Sequence, residues 1–567
     1  MKLSLARFEF LLPILFGIVS FFLVVGPLPL DPSNISWLSG QDPSQHYLGW
    51  AFFRYSPWTN PLGLNPNYGL SIASAIAYSD SIAWLAFLFK PLSPFLSEPF
   101  QYIGIWIFLC FILQSWFSWK LVGLITQNTL LRIIICTLLG IFAPPFLKRL
   151  GLHAALIGQF LVLAALYLNL NQDRISNGKI PKKIDGRGQV IAWCVLLIFA
   201  SLTNFYLLVM VYGLWLAKLL DLGLCRKISI QQLIGEFFLL HAVLFGCLWE
   251  AGYFSTAGIS ITAEGFGQYK LNLLSIFDAG RYSHILKPIA HPEDLEEGFN
   301  FLGLGIIFLI PFVIGALLLP KKTNGKDHSF RHVRISLALK ICLIIFFLFA
   351  LSNQISLGNW TISYPLPDLF LNLASILRSS GRFFWPVYYL LVFNLLLNIV
   401  NHFTYQKALI ILSLALLIQI IDTSAGWLPL RKTFAELSKA AIPSKLNGYF
   451  WDEAGRRYKK LLFWPLRSGQ TQEHWQELAY FAANHQMGTN AVYLGRRADS
   501  SKVKEFNDLH QKQIQLAQLD PTALYILNNN LSNSQWINQI EFTAETCLRK
   551  TTELIIIGPA WISCPKL

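Results

Sequence analysis

Apolar runs of about the length of a bilayer-crossing helix recur along this chain, and they constrain its fold more than any other feature. Eleven stand out: 8–28, 99–122, 129–146, 153–170, 189–203, 204–221, 234–255, 301–319, 335–352, 383–401 and 408–426. Thr203 and Asn204 interrupt the stretch 189–221, which reads as two helices or one kinked hairpin. Residues 81–96 are apolar but short and broken by Lys90-Pro91, so they read as an interfacial or re-entrant helix. Composition agrees: 54% of the 567 residues are hydrophobic and only 13% charged, about half the charge of a soluble globular chain, which is about 25%. The expected fold class is an α-helical polytopic membrane protein of about 11 transmembrane helices, with a C-terminal α/β domain.

The net charge of +14 would suit nucleic acid, but its distribution argues otherwise. Residues 1–426 carry 28 Lys/Arg against 19 Asp/Glu (+9), and residues 427–567 carry 17 against 12 (+5). Within the apolar part the cations gather in three short loops. Loop 171–188 holds Arg174, Lys179, Lys182, Lys183 and Arg187; loop 320–334 holds Lys321, Lys322, Lys326, Arg331 and Arg334; loop 222–233 holds Arg226 and Lys227. All three share one side with Lys2 and Arg7, so the positive-inside bias puts the N-terminus in the cytoplasm. Eleven spans then put the C-terminal part outside. Nucleic acid is not an expected partner; membrane lipids are.

The chain divides into a transmembrane module, 1–427, with a long first external loop at 30–98, and an extracytoplasmic α/β domain, 428–567. Runs at 490–494, 523–527 and 553–558 read as strands, and 500–518 as a helix with Val503, Phe506, Leu509 and Ile514 on one face. No phosphate-binding glycine loop or nucleophile elbow assigns the domain a chemistry. Cys547 and Cys564 are its only cysteines, and an oxidising compartment would let them pair.

Chemistry concentrates in the outward loops, which are long and polar. In the first, Asp42-Pro43-Ser44-Gln45 has the form of a helix start, with Asp42 as N-cap, and Tyr47, Trp50 and Phe53 follow at helical spacing. Asp80 repeats the pattern before the short apolar helix. The plain reading of both is capping; the functional one is a carboxylate held ionised at a helix tip near the membrane surface. In the last outward loop, Arg378 and Arg382 flank a Ser-Ser-Gly turn just before a span, against the positive-inside bias, and such a pair suits a phosphate. Snorkelling to headgroups is the alternative. Lys148, Arg149, Lys270, Arg281 and Lys287 read individually as solvated or headgroup contacts. His46, His153, Gln159, Asn204 and Glu297 are candidates to line a site. The spacing requires no cofactor, although Asp42, Asp80 or the acidic run Glu293, Asp294, Glu296 and Glu297 could take a divalent cation.

A cytoplasmic first span, an aspartate opening an interfacial helix in the first external loop, many further spans and an external terminal domain together resemble the GT-C glycosyltransferase superfamily. The strings QDPSQHYLGWAFFR, NPLGL, AYSDSIAW, RLGLHAALIGQF, SLTNFYLLVM, EEGFNFLGLG and RSSGRFFWP resemble, more narrowly, an uncharacterised bacterial family of polytopic membrane proteins. The resemblance implies a sugar on a polyprenyl phosphate as donor and a cell-envelope glycan, lipid or protein as acceptor. It implies inversion at the anomeric carbon, Asp42 as base, Asp80 as its partner, and Arg378 and Arg382 on the donor phosphate. It also implies a bacterial cytoplasmic membrane, with the terminal domain in the periplasm. This chain departs from a paired-carboxylate pattern, since Asp42 and Asp80 are far apart in sequence. The competing classes are an envelope-lipid transporter or flippase and a non-catalytic scaffold presenting the terminal domain.

Overall fold

The computed structural model describes residues 2–566 apart from 71, 73, 172–185, 256–259, 261–264, 290–296, 319–332, 443–444, 468–472, 495 and 497. Most of the cationic loops 171–188 and 320–334 falls outside the described residues, as do His291, Glu293, Asp294 and Glu296. The chain forms two compact units: 1–31, 102–247 and 264–436 in the first, and 32–101, 248–263 and 437–567 in the second. The first external loop therefore packs with the terminal domain, whereas its sequence position had grouped it with the transmembrane module.

Five helices are long and apolar enough to cross a membrane: Ile103–Ile125, Phe205–Leu224, Ile230–Glu250, Ser380–His402 and Tyr405–Leu437; all lie in the first unit except the last residues of Ile230–Glu250, from Leu248, and Leu437. Six shorter apolar helices, Glu9–Val24, Thr129–Ile141, Ala154–Leu170, Arg187–Thr203, Leu304–Leu318 and Leu337–Leu351, fall on the remaining apolar runs. Asn204 explains one division. Its backbone is extended, and its side chain accepts from Tyr206 N at 2.9 Å, capping the Phe205–Leu224 helix. The site-lining candidate Asn204 is thus a helix cap.

Several buried polar side chains of the first unit are hydrogen-bonded to one another and to backbone, as burial favours. Gln159, another site-lining candidate, is fully buried; it accepts from the Tyr389 hydroxyl at 2.5 Å and donates to Pro145 O at 3.0 Å. Tyr389 in turn accepts from Gln114 at 2.9 Å. Gln419 donates to Phe142 O and Leu302 O and accepts from Gly305 N, tying three segments together.

The second unit holds the α/β fold. With β1 (Gln354–Leu357) and β2 (Trp360–Ser363) forming a hairpin in the first unit, the terminal sheet comprises β3 (Lys460–Trp464), β4 (Gly488–Thr489), β5 (Ala523–Asn528), β6 (Cys547–Lys550) and β7 (Leu554–Gly558). Its order is β4-β3-β5-β7-β6, with β4, β3 and β5 parallel and β7 antiparallel to both neighbours. The expected strands at 523–527 and 553–558 and the helix Ser500–Gln515 are present. The expected strand at 490–494 is instead a loop. Pairing stops at Thr489 because the Asn490 side chain takes both backbone partners of Phe463, accepting from its N at 2.7 Å and donating to its O at 2.9 Å.

Cys547 and Cys564 form a disulfide that ties edge strand β6 to the last residues. It closes a short loop, 17 residues in sequence separation. The double variant Cys547→Ser/Cys564→Ser should lose about 3 kcal/mol of unfolding free energy, read as a lower denaturation midpoint of the full-length protein.

A second prediction concerns acid. Burial pushes the His510 imidazole below its usual range, the bond from Nδ1 to Phe506 O (2.9 Å) pulling weakly the other way, and burial lowers His485 too. Their folded values lie below the unfolded one of about 6.5, so their stabilising contribution is complete above that pH and is lost as pH falls through the folded values. Lowering pH from 7.5 to 5 should therefore destabilise the wild type more than His510→Leu, measured as the change in unfolding midpoint.

Candidate functional site

The acidic candidates belong to the second unit, within the segment packed on the terminal domain. The helix Gln41–Tyr55 starts after Gly40, whose φ of +117° is available to glycine but not to a side-chain-bearing residue without strain. Asp42 therefore sits in the first turn rather than at the cap, still where backbone N–H groups favour an anion. Asp80 is likewise not a cap. The short helix Ala83–Phe89 follows Ile82, and Asp80 and Ile82 both hold left-handed backbone, with φ of +57° and +51°. Two strained non-glycine residues so close together mark a segment held by its surroundings.

Those surroundings are the first turns of the Gln41–Tyr55 helix. Gln45 Nε2 donates to Tyr78 O at 3.0 Å, and Ser81 Oγ donates to His46 O at 2.7 Å. Gly49 allows the approach, since a Cβ there would meet Ser79 Oγ at 2.2 Å. His46 is buried, with Nδ1 3.2 Å from Ser79 O. A carbonyl oxygen only accepts, so Nδ1 carries the proton and Nε2 keeps its lone pair in the neutral ring. A His46 ring nitrogen and an Asp80 carboxylate oxygen lie within 4.8 Å. The sequence candidates Asp80 and His46 are thus brought together, with Asp42 one helical turn from His46 on the same helix.

The terminal domain braces this helix. Gln476 donates to Gly40 O at 2.6 Å, the Tyr480 hydroxyl donates to Ser44 Oγ at 3.3 Å, and Tyr47 stacks on Tyr480 at 5.8 Å. Loop residues 67–69 extend the sheet beyond β4: Thr489 N donates to Asn67 O at 2.9 Å and Gly69 N donates to Thr489 O at 2.8 Å. Arg496 is a residue that sequence reasoning missed. Burial drives the buried Tyr253 hydroxyl well up, Asp80 and Tyr78 add to that, and Arg496 opposes it, so Arg496 and Asp80 both act on one hydroxyl. The Tyr78 hydroxyl donates to Tyr253 O at 2.7 Å. Only the Arg-Arg pair after NAVYL could have signalled this cation.

The cationic candidates belong to the first unit. Arg382 Nε and Arg149 Nη1 both donate to Glu297 Oε2, at 2.6 and 2.7 Å, and His153 Nε2 lies 3.4 Å from Glu297 Oε1. Arg149 is 1% exposed, Arg382 6% and Glu297 8%. The expectation that Arg149 is a solvated or headgroup contact is corrected: it is buried among charged partners, because Glu297 gives it a counter-ion. Three candidates from separate loops, Arg382, Glu297 and His153, converge here. Asn204 and Gln159 do not join the hydrogen bonds that tie these three together; each is engaged as described above.

Burial alone would raise the Glu297 carboxyl, but the Arg149 and Arg382 guanidiniums and the contact with His153 together hold it well below the usual carboxylate range. It stays ionised, with both guanidiniums on one of its oxygens. Aromatic faces support the cations: Arg382 lies over Tyr206 (4.5 Å), Arg149 over Trp385 (5.4 Å) and Lys148 over Phe299 (5.9 Å). Arg378, half-buried, lies over Tyr269 at 5.7 Å. Gly381 sets the turn between the two arginines of that loop. Its N donates to Tyr269 O at 3.0 Å, and a Cβ would meet Gly298 Cα at 2.7 Å, so the loop carrying Arg382 can press onto the one carrying Glu297.

Residues 14–424 match the family model described as Domain of unknown function (DUF6311). Residues 450–556 match the model of the DUF6311 C-terminal domain. No curated protein matches the chain.

Proposed function

This chain belongs to the DUF6311 family, and on that premise we propose that it is a multi-pass membrane glycosyltransferase that moves a sugar from a polyprenyl-phosphate donor to a cell-envelope acceptor with inversion. The observation that carries the reading is the buried Arg149–Glu297–Arg382 cluster: two guanidiniums converge on one carboxylate oxygen at the edge of apolar helices. A guanidinium offers a phosphate the same forked donors that it offers a carboxylate. A phosphate on a lipid is the anion that a membrane supplies with its reactive bond near the surface.

In the proposed reaction the acceptor hydroxyl oxygen bonds to the anomeric carbon as the bond from that carbon to the phosphate oxygen breaks. Asp42 takes the hydroxyl proton as general base, with Asp80 and His46 orienting the acceptor. The electron pair leaves on the phosphate, and Arg378 with the Arg149–Arg382 pair stabilises that charge as it develops. A single displacement inverts the anomeric centre. Eleven crossings, a cytoplasmic N-terminus and an external terminal domain belong to the same proposal, because the donor and acceptor meet outside the cytoplasm. Arg378→Ala tests the donor half: KM for a polyprenyl-phosphate sugar should rise about tenfold or more, the loss of roughly one charge-assisted bond of 1.5–3 kcal/mol. An unchanged KM would remove Arg378 from the donor site.

A further inference from the structure

The hairpin β1–β2 turns its apolar face outward, and β2 is exposed along both faces. Pairing of Ile355 with Ile362 and Leu357 with Trp360 places these four side chains on one face, and Gln354, Ser356, Thr361 and Ser363 on the other. In a protein surrounded by water the apolar face would turn inward. Here Ser356 is fully buried, bonded to Thr361 Oγ1 at 2.7 Å, with its carbonyl accepting from Leu273 N at 2.9 Å. Asn272 clamps the turn, donating to Gly358 O at 2.7 Å and accepting from Gly358 N at 3.0 Å. The apolar face is left outside, Trp360 being 83% and Ile362 75% exposed.

The segment that follows continues the surface. Helix Asp368–Ser375 buries none of its residues and exposes Leu369, Phe370 and Leu373 on one side. Asp368 is the only charged residue from 353 to 377. Apolar helices bound the segment at both ends, Leu337–Leu351 before it and Ser380–His402 after it. The first of these exposes Ile341, Ile344, Ile345 and Leu348 at helical spacing, so its apolar outer stripe runs on into the hairpin.

We propose that residues 354–376 form a lipid-docking surface that lies in the membrane interface, with Trp360 and Ile362 inserted among lipid chains beside Arg378. Two arguments choose lipid over a protein partner. The surface is continuous with the outer stripe of an apolar helix, and its edge carries Trp360 and Tyr364, the residues that anchor at the headgroup level. Depth follows from the backbone. The outer edge of β2 has no strand partner within the hairpin's two-stranded sheet; unpaired N–H and C=O groups are tolerated where water reaches them and not in the hydrocarbon core. The side chains therefore dip in while the strand stays at headgroup depth.

Tryptophan quenching by brominated phosphatidylcholine in nanodiscs tests this, using the full-length protein and the Trp360→Phe variant. The emission lost on that substitution isolates Trp360. Lipid brominated high on the chain should quench about half or more of that difference emission, lipid brominated near the chain end less, and aqueous acrylamide little. Strong acrylamide quenching with no effect of bromine would overturn the proposal in favour of an open aqueous surface. Protection from both quenchers would overturn it in favour of a protein partner, and mass photometry would show whether that partner is a second copy. The readout does not depend on sugar transfer, so it stands or falls apart from the enzymatic proposal.

Discussion

Glu297→Gln should lower the stability of the purified protein by about 3–5 kcal/mol, because it removes the carboxylate that two buried guanidiniums share. The measurement is the unfolding midpoint in detergent, compared with Glu505→Gln, whose ion pair with Lys502 is exposed and should leave the midpoint almost unchanged. A companion variant separates structure from function. Replacing the triad by Arg149→Met, Glu297→Leu and Arg382→Met removes its three charges together, and such replacements are often neutral or stabilising. The triple variant should thus regain the stability lost in Glu297→Gln, yet transfer no sugar. If it regains transfer as well, the arginines are only structural and the donor-phosphate role fails.

The second large effect is on chemistry rather than folding. Asp42→Asn should cut turnover by about 10²–10⁴-fold, the usual contribution of a general base, with little change in unfolding midpoint. The amide keeps the size and hydrogen-bonding capacity of the side chain in the first turn but loses the charge and the basicity. Asp80→Asn should fall between wild type and Asp42→Asn, since Asp80 is assigned to orientation beside His46. A reversed order, with Asp80→Asn the more damaged, would make the Asp80–His46 pair the base and Asp42 the positioning group.

Much of this architecture could be read from residues alone, for reasons tied to particular segments. Apolar runs mark the helices because burial in protein or lipid demands them, and the break at Thr203-Asn204 was legible since Asn is a strong helix cap. Strands β5 and β7 stand out as apolar runs bounded by turn residues. Strand β3, Lys460–Trp464, was missed because its first residue is charged and it directly follows the helix Tyr449–Arg457. The run 490–494 misled for the opposite reason: it has strand composition, but the Asn490 side chain spends the neighbouring pairing positions.

The site was legible as residue types and not as partnerships. Sequence spacing could nominate Arg382 and Glu297, but only the folded chain brings Arg149 onto the same oxygen as Arg382. The apparent caps at Asp42 and Asp80 show the limit of local rules. Gly40 and Ile82 take those positions, and their backbone angles depend on tertiary contacts that no short motif records. Nor did the sequence reveal that the first loop is bound to the terminal domain through Gln476, Tyr480 and Thr489. That attachment gives the terminal domain a physical role, fixing the helix that carries Asp42 and His46.

The most direct test of the central claim follows the sugar itself. Purified full-length protein in nanodiscs is given a radiolabelled polyprenyl-phosphate sugar and an envelope lipid and glycan extract as acceptor. The account predicts that label leaves the polyprenyl phosphate, appears on an acceptor with the opposite anomeric configuration, and does so only when Asp42 is intact. Label that stays on the lipid, or that moves equally well with Asp42→Asn while the protein remains folded, would contradict it.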